Sequence, residues 1–182
     1  MDDAGMSLQA TMTAMGQAAR HGAQALRVAT PAQRTAALEA MAAAIRADAP
    51  AILAANARDL DKAQNLSKGG AGGLTAPMVE RLMLNAERLE GVAAGVEAVA
   101  AIPDPLGVET ARWTRPNGLD IARVRTPIGV IAMIFESRPN VTADAAALCV
   151  RSGNAVILRG GSECINSNLA IHAAIAKGLK AA

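Results

Sequence analysis

A chain of 182 residues, 52% of them apolar, has the length of one domain with room for a substantial core. Its 18 Lys and Arg stand against 16 Asp and Glu, which leaves no electrostatic footprint for nucleic acid, and one Phe, one Trp and no Tyr leave almost no platform for stacking bases. No apolar run approaches membrane-spanning length, Met1 precedes Asp2 and Asp3 rather than a basic signal-peptide start, and the two cysteines form no metal-like pair, so a reducing, cytoplasmic setting is expected.

Alanine swells the apolar fraction and argues for helix more than for a bulky core. Ser7 to Ala29 reads as an alanine-rich helix. Thr30-Pro31-Ala32-Gln33 is a capping box with proline at the first helical position, so a second helix starts there and runs to about Ala47. It presents Ala37, Met41 and Ile45 on one face. A third helix covers Ala49 to Ala63 with Ile52, Leu53 and Leu60 inward. Arg34, Glu39 and Arg58 are expected on solvated faces, with no chemistry assigned. Ser67 to Gly73 (SKGGAGG) reads as a surface loop. It is not a phosphate cradle, because no strand precedes it and Lys68 stands before the glycines. Helices over Pro77 to Met83 and Asn85 to Ala100 follow, with Thr75 and Asn85 as caps.

Pro103-Asp104-Pro105 ends the helical part. Val108 to Thr114 and Leu119 to Arg125 flank Arg115-Pro116-Asn117-Gly118, and Asn-Gly between such segments predicts a hairpin. Val108 and Trp113 do not define a buried face for it. Val130 to Phe135 and Ala155 to Leu158 are short continuous apolar runs, expected of strands buried on both faces. Between them, Pro139 biases Arg138 away from helix. Asn140 or Thr142 then caps a helix with Val141, Ala145, Leu148 and Cys149 on its inner face. Gly153 suits the left-handed position after it. Arg159-Gly160-Gly161 is a tight turn, and Ser162 caps a last helix carrying Ile165, Leu169, His172 and Ile175.

Strand–helix–strand–helix with short links implies parallel strands and a right-handed crossover. Ligands of open α/β sheets sit beyond the carboxyl ends of the strands, here Glu136 to Asn140 and Arg159 to Glu163. Each turn adjoins a helix start, where unpaired N–H groups favour anions, and each carries an arginine able to pair with phosphate or carboxylate.

The words PIGVIAMIFESRPNVT and GNAVILRGGSE resemble γ-glutamyl phosphate reductase (glutamate-5-semialdehyde dehydrogenase), of the aldehyde dehydrogenase superfamily. The likeness extends back through AILAANARDLDKA and VERLMLNAERL, so it covers nearly the whole chain. It implies an α/β, aldehyde-dehydrogenase-like fold: N-terminal helices, a β-hairpin and the first part of a Rossmann-type parallel sheet. On that pattern residues 1–105 are the helical part of the cofactor domain. Residues 106–126 are a β-hairpin, either an oligomerisation element or a simple surface ribbon, and 127–182 are the first two strand–helix units of the NADP-binding domain. The catalytic domain, with its nucleophilic cysteine, is expected beyond residue 182.

The resemblance further implies NADPH-dependent reduction of L-glutamate 5-phosphate to L-glutamate 5-semialdehyde and phosphate, the second step of proline biosynthesis. A homo-oligomer is implied, with glutamate 5-kinase as a functional partner and no role for nucleic acid, membrane or metal. Arg159, Gly160, Gly161, Ser162 and Glu163 would bind the cofactor, with Arg159 meeting the 2′-phosphate of NADP. Ser162 stands where the family often has lysine. Ser137, Arg138 and Pro139 would bind substrate, and the Asn140 amide would support the oxyanion. The bland alternatives are an ordinary strand-to-helix turn at Arg159 and a plain helix cap at Asn140. Cys149 and Cys164 read as packing residues, and His21 and His172 carry no role. Taken alone, the chain is expected to be catalytically inactive. Two rival readings are a non-catalytic helical interaction module with a relic nucleotide site, and a dehydrogenase for another aldehyde. The Ser-Arg-Pro-Asn word, in place of the superfamily's Trp-Asn-Phe-Pro, argues against the second.

Overall fold

Five helices precede the hairpin in the computed structural model, which describes residues 7–68 and 74–182 (for 65–68, the backbone alone). Helix α1 (Leu8–Val28) starts at Ser7, whose hydroxyl accepts from the Ala10 N–H. Helix α2 (Pro31–Ala47) opens on the expected capping box: Thr30 Oγ1 accepts from the Gln33 N–H at 3.2 Å, and Gln33 Oε1 accepts from the Thr30 N–H at 2.8 Å. Helix α3 (Ala49–Lys68) runs past the expected end at Ala63, so Ser67 and Lys68 are helical rather than loop. The glycines of SKGGAGG lie outside the described residues. Helices α4 (Ala76–Leu82) and α5 (Ala86–Ala101) follow. Asn85 caps α5 as expected, accepting from the Arg88 N–H at 2.7 Å, whereas the Thr75 side chain makes no cap bond to α4. No helix among the described residues is long and apolar enough to cross a membrane.

Small residues let these helices approach closely. Leu38, Met41, Ala42 and Ile45 of α2 form the middle of the core. Val92, Ala93 and Val96 of α5 meet them, as do Ala146 and Val150 of helix α6 (Val141–Arg151) and Ile171 and Ala174 of helix α7 (Ile165–Ala181). At Gly178 a Cβ would lie 2.5 Å from the Ala40 carbonyl oxygen, so the α7 backbone rests directly on α2.

Arg34 overturns the expectation of a solvated face, since it is only 4% exposed. Its guanidinium pairs with Asp104 Oδ2 at 2.5 Å and donates to the carbonyls of Leu26 and Ala29. The last carbonyls of α1 have no helical partner, and Arg34 supplies one. The same side chain fastens the Pro103-Asp104-Pro105 turn to the helices.

Strands β1 (Glu109–Thr114) and β2 (Asp120–Val124) form the expected antiparallel hairpin, closed by Gly118 at φ +83° and exposed along nearly its whole length. Strands β3 (Val130–Ile134) and β4 (Ala155–Arg159) are parallel, in register from Val130–Ala155 to Ile134–Arg159, with α6 as their crossover. Gly153 ends α6 at φ +70°, the left-handed position expected of it.

Burial of the strands on both faces is not observed. Ala132, Met133 and Ile134 are exposed, Ile134 at 72%. Among the described residues the sheet has these two strands alone, and since successive side chains alternate between faces, both faces of β3 are partly uncovered towards its carboxyl end. Two helix faces are also corrected. In α6, Leu148 is 53% exposed, while Ala143, Ala146, Ala147 and Val150 are buried with Ala145 and Cys149. In α7, Ile165, Leu169 and His172 point outward and Ser167, Asn168, Ile171, Ala174, Ile175 and Gly178 point inward. The largest apolar side chains were a poor guide because the inner face of α7 starts with small polar residues that have dedicated partners.

Candidate functional site

The turns after β3 and β4 lie side by side because their strands pair in register up to Ile134 and Arg159. The ladder continues one step further, with the Phe135 N–H donating to the Arg159 carbonyl at 3.1 Å. Beyond it, Ser137 and Glu163 join the two turns. Glu163 Oε1 accepts from the Ser137 N–H at 2.6 Å and from Ser137 Oγ at 2.9 Å. Ser137 is 5% exposed and has φ +44°, alone in positive φ among the described non-glycine residues. A serine tolerates that conformation only when its surroundings hold it there, and two hydrogen bonds to one carboxylate do so. Burial pushes the Glu163 carboxyl up. The N–H of Glu163 itself, both Ser137 donors and the Arg159 charge outweigh that and hold it below the usual carboxylate range.

Gly160 and Gly161 stand where a Cβ would press on neighbouring side chains. A Cβ on Gly160 would lie 2.0 Å from Asn168 Nδ2 and 3.1 Å from the Phe135 ring. A Cβ on Gly161 would lie 2.2 Å from Glu163 Oε1. Arg159 and Ser162 are exposed at the mouth of the turn. Beside Gly160 lies a cavity of about 220 Å³, walled by Phe135, Leu158, Ile165, Leu169 and His172. The outward residues of α7 therefore have a surface to line, and His172 belongs to it.

The helix starts are not free for anions as expected. The first three N–H groups of α6 donate to the carbonyls of Arg138, Pro139 and Asn140. Neither Asn140 nor Thr142 caps α6 through its side chain. Asn140 Nδ2 donates to Asp144 Oδ2 at 2.9 Å, and Thr142 Oγ1 donates to Asn168 Oδ1 at 3.2 Å. Nor does Ser162 cap α7; it begins a 3-10 turn, Ser162–Cys164. The start of α7 is held from a distance by Asp59 of α3. Asp59 accepts from the N–H groups of Asn166 (3.2 Å) and Ser167 (2.8 Å), from Asn166 Nδ2 (2.7 Å) and from Ser167 Oγ (2.6 Å). A carboxylate already answers the positive end of that helix. The exposed arginine side chains of the two turns, Arg138 and Arg159, remain for anion recognition.

Asp59 and its neighbour Asn56 were not singled out from the sequence. Asn56 Nδ2 donates to the Leu82 carbonyl and to Ser167 Oγ, while Asn56 Oδ1 accepts from the Leu84 N–H. The signal was present: Asn56 and Asp59 share the helical stripe of Ile52 and Ala63, where a polar residue needs a buried partner.

Pro139 is buried under the first turn, and Arg138 is exposed above it. Asn140 opens onto a second cavity, of about 350 Å³, between the α4–α5 corner and α6. Both cysteines are buried packing residues, as expected. Burial pushes each thiol up, and for Cys164 the charges of Glu163 and Asp59 add to the effect against the Asn168 hydrogen bond. Both shifts disfavour the thiolate form. Among the described residues no cluster of His, Cys, Asp or Glu is arranged to hold a metal.

No protein-family model matches the chain. A curated gamma-glutamyl phosphate reductase of Caulobacter sp. (strain K31) is 92% identical over 97% of this chain. The chain belongs to the gamma-glutamyl phosphate reductase family. It spans about two fifths of its curated relatives, 41% of the Caulobacter protein, and matches the N-terminal part. The crystal structure of the Thermotoga maritima gamma-glutamyl phosphate reductase superposes with a TM-score of 0.86 at 38% identity, covering 93% of this chain and 40% of that one. A Rhodopseudomonas palustris propionaldehyde dehydrogenase superposes with a TM-score of 0.58 at 16% identity, covering 93% and 34%, and shares the fold alone. The architecture is thus the expected α/β, aldehyde-dehydrogenase-like one.

Proposed function

We propose that this reductase-family chain forms the cofactor-binding side of an enzyme that reduces L-glutamate 5-phosphate to L-glutamate 5-semialdehyde and phosphate, with NADPH, in proline biosynthesis. The observation that carries the reading is the Ser137–Glu163 link, which sets the Arg159 turn and the Asn140 turn against each other at one edge of the sheet. The chain's own residues fit a dinucleotide at that edge. Arg159 is an exposed guanidinium with no ion-pair partner among the described residues, and the apolar cavity beside Gly160 suits a flat ring.

When bound, NADPH supplies the hydride. Arg159 takes the 2′-phosphate, and Gly160, Gly161 and Ser162 shape the turn around it. Glu163 orients the second turn through Ser137 and does not touch the reacting atoms. Arg138 meets the phosphate of the acyl phosphate, above the rigid Pro139. One Asn140 Nδ2 hydrogen is taken by Asp144, and the other is available to the oxyanion that forms when a thiolate attacks the acyl carbon. Phosphate leaves from that intermediate, and the resulting thioester is reduced. The thiolate is assigned to neither Cys149 nor Cys164, both of which are buried. The exposed hairpin is the surface assigned to association between copies.

Calorimetry with NADPH and NADH, on the chain and on Arg159→Ala, tests the cofactor assignment. Weak but selective NADPH binding that the variant loses is expected. Equal affinity for both cofactors in the wild type would remove the role given to Arg159.

A further inference from the structure

The cavity at Asn140 carries a charge pattern that the cofactor assignment does not use. Its polar lining is Arg81 of α4, Arg88 of α5, and Asn140 and Asp144 at the start of α6. The two arginines differ. Arg88 Nη1 donates to the carbonyls of Glu80 (2.8 Å) and Met83 (3.0 Å), and its Nη2 pairs with the Glu80 carboxylate. Arg88 therefore fixes the α4–α5 corner, and its charge is already answered. Arg81 has no hydrogen-bond or ion-pair partner among the described residues and is exposed to the cavity. Asn56 braces the same corner from below through the Leu82 carbonyl and the Leu84 N–H, so Arg81 projects from a fixed backbone.

Asp144 is the second unmet charge. Its Oδ2 accepts from Asn140, and no donor among the described residues reaches Oδ1. Burial pushes its carboxyl up, against the Asn140 hydrogen bond, and a cation facing it would relieve that burden. The cavity thus offers one free guanidinium and one half-used carboxylate beside the amide placed at the reacting carbonyl. An α-amino acid end presents the complement: a carboxylate for the fork of the arginine and an ammonium for the aspartate. The Asn140 amide and the Asp144 carboxylate touch at 2.9 Å, so one extended substrate can meet the second amide hydrogen at its carbonyl end and Asp144 Oδ1 at its amino-acid end.

We propose that this cavity is the subsite for the α-amino-acid end of the substrate, with Arg81 binding the carboxylate and Asp144 the ammonium. Both are specificity-determining residues, and the inference rests on the glutamyl substrate proposed above. Arg88 and Asn56 are positioning residues for it.

The test uses a full-length enzyme, this chain completed with the remaining sequence of the 92% identical Caulobacter relative. It is assayed in the direction of aldehyde oxidation with phosphate and NADP. Three aldehydes are compared: glutamate 5-semialdehyde; 4-aminobutanal, which lacks the carboxylate; and 5-oxopentanoate, which lacks the ammonium. Arg81→Ala is expected to raise KM for the semialdehyde about tenfold to a hundredfold. It should leave KM for phosphate and NADP unchanged and cost nothing with 4-aminobutanal. Arg81→Lys should recover part of the loss. Asp144→Asn should penalise the semialdehyde but not 5-oxopentanoate. An equal loss on the semialdehyde and its truncated analogue, or an unchanged KM in both variants, would overturn the inference while leaving the substrate reading intact. A wild-type enzyme inactive on the semialdehyde would overturn the substrate reading, and this subsite with it.

Discussion

Glu163 holds Ser137 in a left-handed conformation by accepting from both its backbone N–H and its hydroxyl, across 26 positions of sequence. Burial pushes the carboxyl up, but its own N–H, both Ser137 donors and the Arg159 charge favour the ionised form and hold Glu163 below the ordinary range. A carboxyl depressed in the folded state contributes stability that is present above its unfolded pKa and is lost as pH falls through its folded pKa. Acid denaturation should therefore show stability falling below the ordinary glutamate range. In Glu163→Gln that part of the fall should be absent. Identical acid limbs for the two proteins in chemical denaturation would show that the link is not charge-assisted.

Asp104 obeys the same sign. Burial opposes its ionisation, but the Arg34 hydrogen bond, the Leu106 N–H and the charges of Arg34 and Arg151 hold it low. Removing one member leaves Arg34 buried without its counter-charge. Asp104→Ala should cost about 3–5 kcal/mol at neutral pH. Urea unfolding of the variant checks this, and a change under about 1 kcal/mol would mean that the pair behaves as an exposed one.

Asp59 is the tertiary cap of α7. Asp59→Ala strips four donors of their acceptor at a fully buried site, with an expected loss of about 3 kcal/mol or more. Hydrogen exchange should locate the damage in the first turn of α7. Fast exchange spread evenly through all helices would point instead to a general loss of packing.

Two glycines rank differently. Gly178→Ala drives a methyl into the Ala40 backbone, which cannot yield, while Gly160→Ala meets the Asn168 side chain, which can turn at the expense of its bonds to Thr142 and Cys164. Gly178→Ala should lie near or beyond the top of a range of about 1–3 kcal/mol, and Gly160→Ala lower in it. The helix-propensity gain of about 1 kcal/mol does not offset the first clash. Thermal denaturation of both variants gives the order, and the reverse order would contradict the rigid contact of α7 with α2.

Asn140→Ala, made in a full-length enzyme, should lower kcat by roughly a hundredfold or more and change KM little. Steady-state kinetics decide. An unchanged kcat would confine Asn140 to its contact with Asp144.

Several features that depend on residues close in the chain were legible in the sequence, although the caps expected at Thr75, at Asn140 or Thr142 and at Ser162 were not formed. The Thr30–Gln33 capping box, the Asn85 cap, the Asn117-Gly118 hairpin turn and the left-handed Gly153 each follow from bonds or backbone angles spanning a few residues. The parallel pairing of β3 and β4 was legible for a similar reason, since a short helical crossover leaves their directions no alternative. The tertiary structure alone decided the partners. Arg34 was expected on a solvated face, whereas Asp104 meets it from 70 positions away, and Asp59, given no role from the sequence, holds the start of α7. The inner face of α7 was misassigned for the same reason. Hydrophobic periodicity weighs side chains by size and polarity, whereas Ser167 and Asn168 are inside because Asp59, Asn56, Thr142 and Cys164 satisfy them there. A buried polar group is stable only with its partner in place, and the identity of that partner is a property of the folded arrangement rather than of either local sequence.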